Sequence, residues 1–353
     1  MNSRERIKAA VNREKIDCIP VGPYMGNHCA IVTGTKMIDY YTKADKMAHA
    51  QIKAWELYGQ DIVCVQSDNY YIVEGFGLKA EYHENSTPTV IKPAVENLKD
   101  IAKLKLPNPY RDGRMPVYIE AVDRVSQYLG KEAVIRTPGT GPFTMAGHLM
   151  GIQQFLIELA KIEHEMDDAD EKAIIYLLEL CTEILIEFGK AMLKAGSDIV
   201  QCGDSLASLD MISPDMYKRF AFPYEKKYFD EISPYAKAKG AFKLLHICGN
   251  NTGTMELYAA TGADIIEVDH KSDLKLWTDT IGNKVTLIGN LNPTRILLQG
   301  SVEEVREASL RCIKDARGHE GGFILGSGCE VPLYAPRENI MEMIKTAREY
   351  IIQ

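Results

Sequence analysis

Asp198-Ile199-Val200-Gln201-Cys202-Gly203-Asp204 and, further along, Lys243-Leu244-Leu245-His246-Ile247-Cys248-Gly249 bracket the stretch whose reading decides the fold. Each is a short aliphatic and β-branched run that ends in polar residues beside a glycine, the pattern of a buried strand opening into a loop. Between them, Ser213-Pro214-Asp215 supplies a capping hydroxyl, a proline at the first helical position and an acid in the first turn. A helical pattern then runs over Pro214–Ile232. Strand, helix and strand in this order predict a βαβ unit with parallel strands.

The alternation continues in both directions. Strands are predicted at Cys18–Tyr24, Asp61–Ser67, Ala133–Thr137, Asp198–Gly203, Lys243–Ile247, Ala263–Val268, Lys284–Gly289 and Gly322–Leu325. Further helices are predicted at Ile152–Glu165, Glu171–Ala195, Val302–Ala316 and Pro336–Ile351. Eight strands in βα repeats point to an α/β chain closed as a (β/α)8 TIM barrel, with a doubly wound open sheet as the alternative. Residues 1–353 read as a single barrel domain with an N-terminal helical extension, and Pro88–Arg114, rich in proline, reads as an excursion between barrel units.

Composition narrows the function classes. Hydrophobic residues make up 46% and charged residues 25%, as in an ordinary globular protein. The formal net charge of −8 argues against a nucleic-acid-binding surface. No apolar run approaches the roughly 18 residues a membrane helix needs, and the charged start Met1-Asn2-Ser3-Arg4-Glu5-Arg6 leads into no signal-peptide stretch. The eight cysteines are spread along a large chain, which favours free thiols or metal ligands in a reducing cytoplasm over a disulfide framework.

Barrel active sites are built from strand ends and βα loops at one face, and here polar residues follow strand after strand. Asp68-Asn69, Pro138-Gly139-Thr140-Gly141-Pro142, Asp204-Ser205, His246-Ile247-Cys248-Gly249-Asn250, Asp269-His270, Asn290-Leu291-Asn292 and Gly328-Cys329-Glu330 all fall at such ends. His246 and Cys248, two apart on a strand, point to the same side. A His-x-Cys pair alone equally suits a packed core. Cys329, two strands further on among Gly321, Gly322, Gly326 and Gly328, turns the pair into a candidate zinc site of one imidazole and two thiols. Three protein ligands leave a fourth position open, the mark of a working zinc. Cys64, Cys181, Cys202 and Cys312 read as packing, His148, His164 and His319 as helix or surface histidines, and His28 and His270 as candidates to line the pocket.

These motifs resemble the uroporphyrinogen decarboxylase superfamily. The resemblance lies in Ser3-Arg4-Glu5-Arg6 through Pro20-Val21, Thr140-Gly141-Pro142-Phe143-Thr144-Met145-Ala146-Gly147, and Gly203-Asp204 leading to Ser213-Pro214. It continues in Phe222-Pro223-Tyr224-Glu225-Lys226-Lys227, Gly289-Asn290-Leu291-Asn292-Pro293, and Val331-Pro332 with Pro336, so it runs from the first helix to the last. It implies a single-domain (β/α)8 barrel. The His-x-Cys-Gly-Asn run with the later Gly-Cys-x-Val-Pro is similar to the zinc-dependent corrinoid methyltransferase branch, which includes methylcobamide:coenzyme M methyltransferases. By resemblance the zinc ligands are His246, Cys248 and Cys329. The decarboxylases carry an arginine-bearing segment after the first strand and a Gly-His-Gly at the last. Here Ile16 to Thr35 holds no Lys or Arg, and the last strand end reads Gly328-Cys329-Glu330.

The expected activity is transfer of a methyl group between a corrinoid, methylcobalamin on a partner protein, and a zinc-activated thiol such as coenzyme M. The chain carries no Asp-x-His-x-x-Gly signature of a corrinoid module, so the corrinoid protein must dock at the barrel's open face. Asp204, Asp269 and Glu330 are the candidates to orient the site or fill the open zinc position. Gly139, Thr140, Gly141 and Asn290 are the candidates to meet the corrinoid. Zinc as Lewis acid on a methoxy or methylamine donor, and a zinc-free decarboxylase-like barrel, stay open as alternatives.

Overall fold

The computed structural model describes residues 1–130, 132–165, 168–316 and 322–350. His319, Gly321 and Ile351 lie outside the described residues, as does the side chain of His164. Among the described residues nine strands form: β1 (Ile62–Cys64), β2 (Lys79–Glu81), β3 (Thr89–Lys92), β4 (Val134–Thr137), β5 (Ile199–Gly203), β6 (Phe242–His246), β7 (Ile265–Glu267), β8 (Thr286–Leu291) and β9 (Phe323–Ser327). Seven pair in parallel in the order β1-β4-β5-β6-β7-β8-β9. That order follows the chain without reversal, whereas a doubly wound sheet reverses at its switch point.

The expected first strand, Cys18–Tyr24, is reduced to a bridge at Val21, paired in parallel with Leu325 of β9. Gly22 N donates to Leu325 O, Leu325 N to Pro20 O, and Asp61 N to Val21 O on the β1 side, at 2.8–2.9 Å. The segment therefore closes the barrel between β9 and β1. Pro20 and Pro23 lack the N–H a longer ladder needs, which explains why so little of it is regular strand.

The barrel interior is layered. Ile62, Val134, Ile199, Leu244, Ile265, Ile288 and Ile324, one from each of the seven strands, form an apolar cluster with Ile7 of the helix Ser3–Val11. Two residues on, where the pleat returns side chains to the same side, the interior turns polar: Arg136, Gln201, His246 and Glu267 are all buried there. A sealed apolar floor under a polar upper layer is what aims chemistry at the C-terminal face.

The surrounding helices begin where their caps dictate. Ser213 Oγ accepts from Met216 N at 3.1 Å. Ser301 and Glu304 exchange bonds as a reciprocal capping box, Ser301 N to Glu304 Oε2 at 2.8 Å and Glu304 N to Ser301 Oγ at 3.2 Å. The expected single helix over Pro214–Ile232 is instead two, Pro214–Phe220 and Phe222–Lys239, with Pro223 in the first turn of the second. β2 and β3 form a separate antiparallel hairpin, followed by a 3₁₀ turn at Leu98–Lys103. Among the described residues no helix is long and apolar enough to cross a membrane.

Candidate metal centre

His246 is the last residue of β6, and Cys248 follows it with the same facing; Cys329 lies just past β9. The three ligand atoms converge. His246 Nε2 lies 3.3 Å from Cys248 Sγ, Cys248 Sγ lies 3.5 Å from Cys329 Sγ, and Cys329 Sγ lies 3.9 Å from His246 Nε2. The imidazole is 3% exposed, while both cysteines are half-buried, so the triangle opens to the barrel mouth on its sulfur side. Gly249 turns the chain away at φ +95°, a conformation a side chain would resist. Gly328 packs against His270, too close for a Cβ.

Behind the imidazole stands a charged relay. His246 Nδ1 lies 2.9 Å from Glu267 Oε2. Arg136 on β4 grips Glu267 with both terminal nitrogens at 2.7 Å and donates Nε to Gln201 Oε1 at 2.7 Å. The guanidinium lies 4.4 Å from the Tyr24 ring centroid, and the Tyr24 ring meets His246 edge-on at 5.9 Å. Burial alone would raise the Glu267 carboxyl, but Arg136 and His246 hold it down at about 2. Burial would lower the His246 ring, yet the charges of Cys248 and Glu267 push it up. The hydrogen bond from Cys329, helped by His246 and Ser205, holds the Cys248 thiol far below its usual range, and the same bond with burial drives Cys329 upward. Ser205 Oγ lies 3.4 Å from Cys248 Sγ.

The three acids expected beside the metal each have other hydrogen bonds. Asp204, fully buried, accepts from Phe143 N at 3.2 Å and Thr144 N at 2.6 Å, capping the helix Pro142–Met150 from outside it. Asp269 closes its own turn, accepting from Lys271 N at 2.8 Å, with His270 Nδ1 at 3.1 Å. Glu330 accepts from the backbone and side chain of Asn27 at 3.0 and 3.1 Å, and burial raises its carboxyl to about 7. His28 is buried away from the trio, bonded to Leu333 O and the Tyr58 hydroxyl at 3.0 and 2.9 Å.

The Gly139–Gly141 loop extends the β4–β5 contact. Gly203 N donates to Gly139 O at 2.6 Å and Gly141 N to Gly203 O at 2.8 Å, and Thr140 pairs with Gly203. A Cβ on Gly139 would overlap the Gln201 carbonyl oxygen, and one on Gly141 the Asp204 side chain. Asn290 ties β8 to the loop after β7 through Asp269 O and Ser272 O, at 3.2 and 3.0 Å. Sequence reading missed Glu267 and Arg136. Their signal was a single charge inside an otherwise apolar central strand, Ile265-Ile266-Glu267-Val268 and Val134-Ile135-Arg136-Thr137, which burial tolerates only when paired.

Comparison with known proteins agrees with this architecture. A methylcobamide:CoM methyltransferase MtbA from Methanosarcina acetivorans is 30% identical over 353 residues, covering 98% of each chain. A second MtbA, from Methanosarcina mazei, is 29% identical over 358 residues with the same coverage. Among solved structures, a methyltransferase from Methanosarcina mazei superposes with a TM-score of 0.86 at 25% identity, covering 99% of both chains. The family description "Uroporphyrinogen decarboxylase (URO-D)" matches residues 2–350. With the match spanning almost its whole length, the chain belongs to the uroporphyrinogen decarboxylase family.

Proposed function

We propose that this protein is a zinc-dependent methyltransferase that moves a methyl group between a corrinoid, carried on a docked partner protein, and a small thiol. The observation that carries the reading is the triangle of His246, Cys248 and Cys329. Zinc bound to sulfur at about 2.3 Å and to nitrogen at about 2.0–2.1 Å in a tetrahedron sets edges of roughly 3.8 Å for S···S and 3.6 Å for N···S. The edges of 3.5, 3.3 and 3.9 Å in the structure fit that donor set to within about 0.3 Å. Its relatives named as methylcobamide:CoM methyltransferases support the corrinoid and the thiol.

When bound, zinc holds a substrate thiol as the thiolate, the nucleophilic form, at neutral pH. The rest falls to the chain. Glu267, clamped by Arg136, faces Nδ1 of His246 at 2.9 Å and leaves Nε2 to ligate. Two thiolate donors make the centre electron-rich, which favours a nucleophilic sulfur substrate over Lewis-acid activation of an ether or amine. Ser205 keeps Cys248 Sγ in place from the β5 side. The half-buried sulfurs leave the substrate position on the mouth side, where a thiol enters and a partner presents the methyl group.

Asp204, Asp269, Glu330, Gly139, Thr140, Gly141 and Asn290 act by setting the loops of that mouth. We place the activity in the cytoplasm, in keeping with eight free cysteines, and take the chain to work as one barrel, with the segment near 88–114 as an excursion. The test is spectroscopic. Zinc-loaded protein incubated with methylcobalamin and coenzyme M should convert the methylcobalamin spectrum to that of cob(I)alamin, and Cys329→Ser should not. No conversion with any thiol in a panel would overturn the proposal.

A further inference from the structure

At the opposite, N-terminal end of the barrel lies a cavity of about 410 Å³ that the methyltransferase reading does not use. It is lined by Lys8 from the helix Ser3–Val11, Ser233 and Lys237 from Phe222–Lys239, Phe242 and Lys243 at the start of β6, and Asp264 just before β7. In a chain of net charge −8, this concavity gathers three ammonium groups against one carboxylate.

Lys243 is the informative member. Its side chain is only 13% exposed, and its nearest carboxylate, Asp264, stands 3.8 Å away. Its Nζ donates to Ser233 Oγ at 2.8 Å, and that hydroxyl donates in turn to Phe229 O at 2.6 Å. An ammonium has three protons to place. One goes to Ser233, one points toward the distant Asp264, and the third is left for the cavity that Lys243 lines. A partly buried ammonium whose nearest carboxylate stands at 3.8 Å gains from an anion that completes its pairing. Lys8 and Lys237 sit in last helical turns, where the dipole favours a cation. Among the described residues neither is ion-paired. The dipoles account for each of these two singly, but not for a withdrawn Lys243 between them.

We propose that this cavity binds a small organic phosphate, its phosphate oxygens on Lys8, Lys237 and Lys243 and its apolar portion against Phe242. The volume falls within the range of small-molecule sites, roughly 300–1,000 Å³. A doubly charged phosphate would complete Lys243 and balance the excess of positive charge.

Isothermal titration calorimetry on the zinc-loaded protein, with adenosine 5′-monophosphate and inorganic phosphate as probes and sodium chloride at matched ionic strength as control, tests this. One saturable site per chain is expected, roughly tenfold tighter for the nucleotide than for phosphate. Lys8→Ala/Lys237→Ala, a change at exposed positions, should weaken nucleotide binding by roughly tenfold or more, as should Lys243→Met. Cys329→Ser should leave it unchanged, which separates this cavity from the metal centre. No saturable heat with either probe would overturn the proposal. So would binding that survives Lys8→Ala/Lys237→Ala, or binding lost in Cys329→Ser.

Discussion

Nδ1 of His246 lies 2.9 Å from Oε2 of Glu267, and Glu267 is held by both terminal nitrogens of Arg136 at 2.7 Å. The imidazole therefore faces a buried carboxylate from the neighbouring strand, itself locked from across the barrel. Partners of this kind are worth roughly 10–100-fold in metal affinity. Glu267→Gln should weaken zinc binding by that factor in competition against a chromophoric chelator. Unchanged affinity would show that the contact has no part in holding the ring.

Removing Arg136 strands a carboxylate in the barrel interior. Breaking a buried ion pair from one side costs about 3–5 kcal/mol, whereas replacing both partners by apolar residues is often close to neutral. Arg136→Met should lower unfolding stability in urea by about that amount, and Arg136→Met/Glu267→Leu should recover most of it. A double variant less stable than Arg136→Met would contradict this reading of the pair.

Asp204 is the external cap of the helix Pro142–Met150. Asp204→Ala leaves two buried amides without acceptors and should cost about 1–3 kcal/mol in thermal or chemical unfolding. Gly139→Ala should be at least as damaging, because its Cβ would overlap the Gln201 carbonyl. Asp215→Ala, on the exposed first turn of Pro214–Phe220, serves as the control and should change stability by no more than about 0.5 kcal/mol.

The barrel was legible because each βα unit is a local pattern: aliphatic runs at Ile199–Gly203 and Phe242–His246 flank two helices, the first with its own cap. The closing segment was not, since Val21 pairs singly between two prolines and its partner Leu325 lies at the far end of the chain. The convergence of His246, Cys248 and Cys329 could be read from strand ends, because residues at such ends share one face. Its support could not. Glu267 and Arg136 hide inside strands, and only the closed barrel brings them together. Asp204 and Asp269 stand at strand ends too, and their carboxylates accept hydrogen bonds from nearby backbone amides.

His148 is a helix histidine as read, on Pro142–Met150, and it is buried, 8% exposed and edge-on to the Tyr70 ring at 5.0 Å. Burial lowers its pKa to about 4, with Asp68 opposing weakly. A histidine depressed in the folded state contributes stability that is present above its unfolded pKa, near 6.5, and lost as pH falls toward the folded value. The loss amounts to about 3 kcal/mol between pH 7 and pH 4. Unfolding midpoints measured across that range should fall less steeply for His148→Gln than for the parent. Parallel profiles would show that the ring titrates normally.

The proposed site is a zinc held by one nitrogen and two sulfurs, with a position kept for a substrate thiol. Zinc K-edge X-ray absorption on the purified protein, before and after coenzyme M is added, tests it most directly. The expected result is two sulfur neighbours at about 2.3 Å that become three on adding the thiol, with one nitrogen at about 2.0–2.1 Å throughout. A sulfur count that stays at two, or zinc whose sulfur neighbours survive Cys248→Ser/Cys329→Ser, would rule out this site.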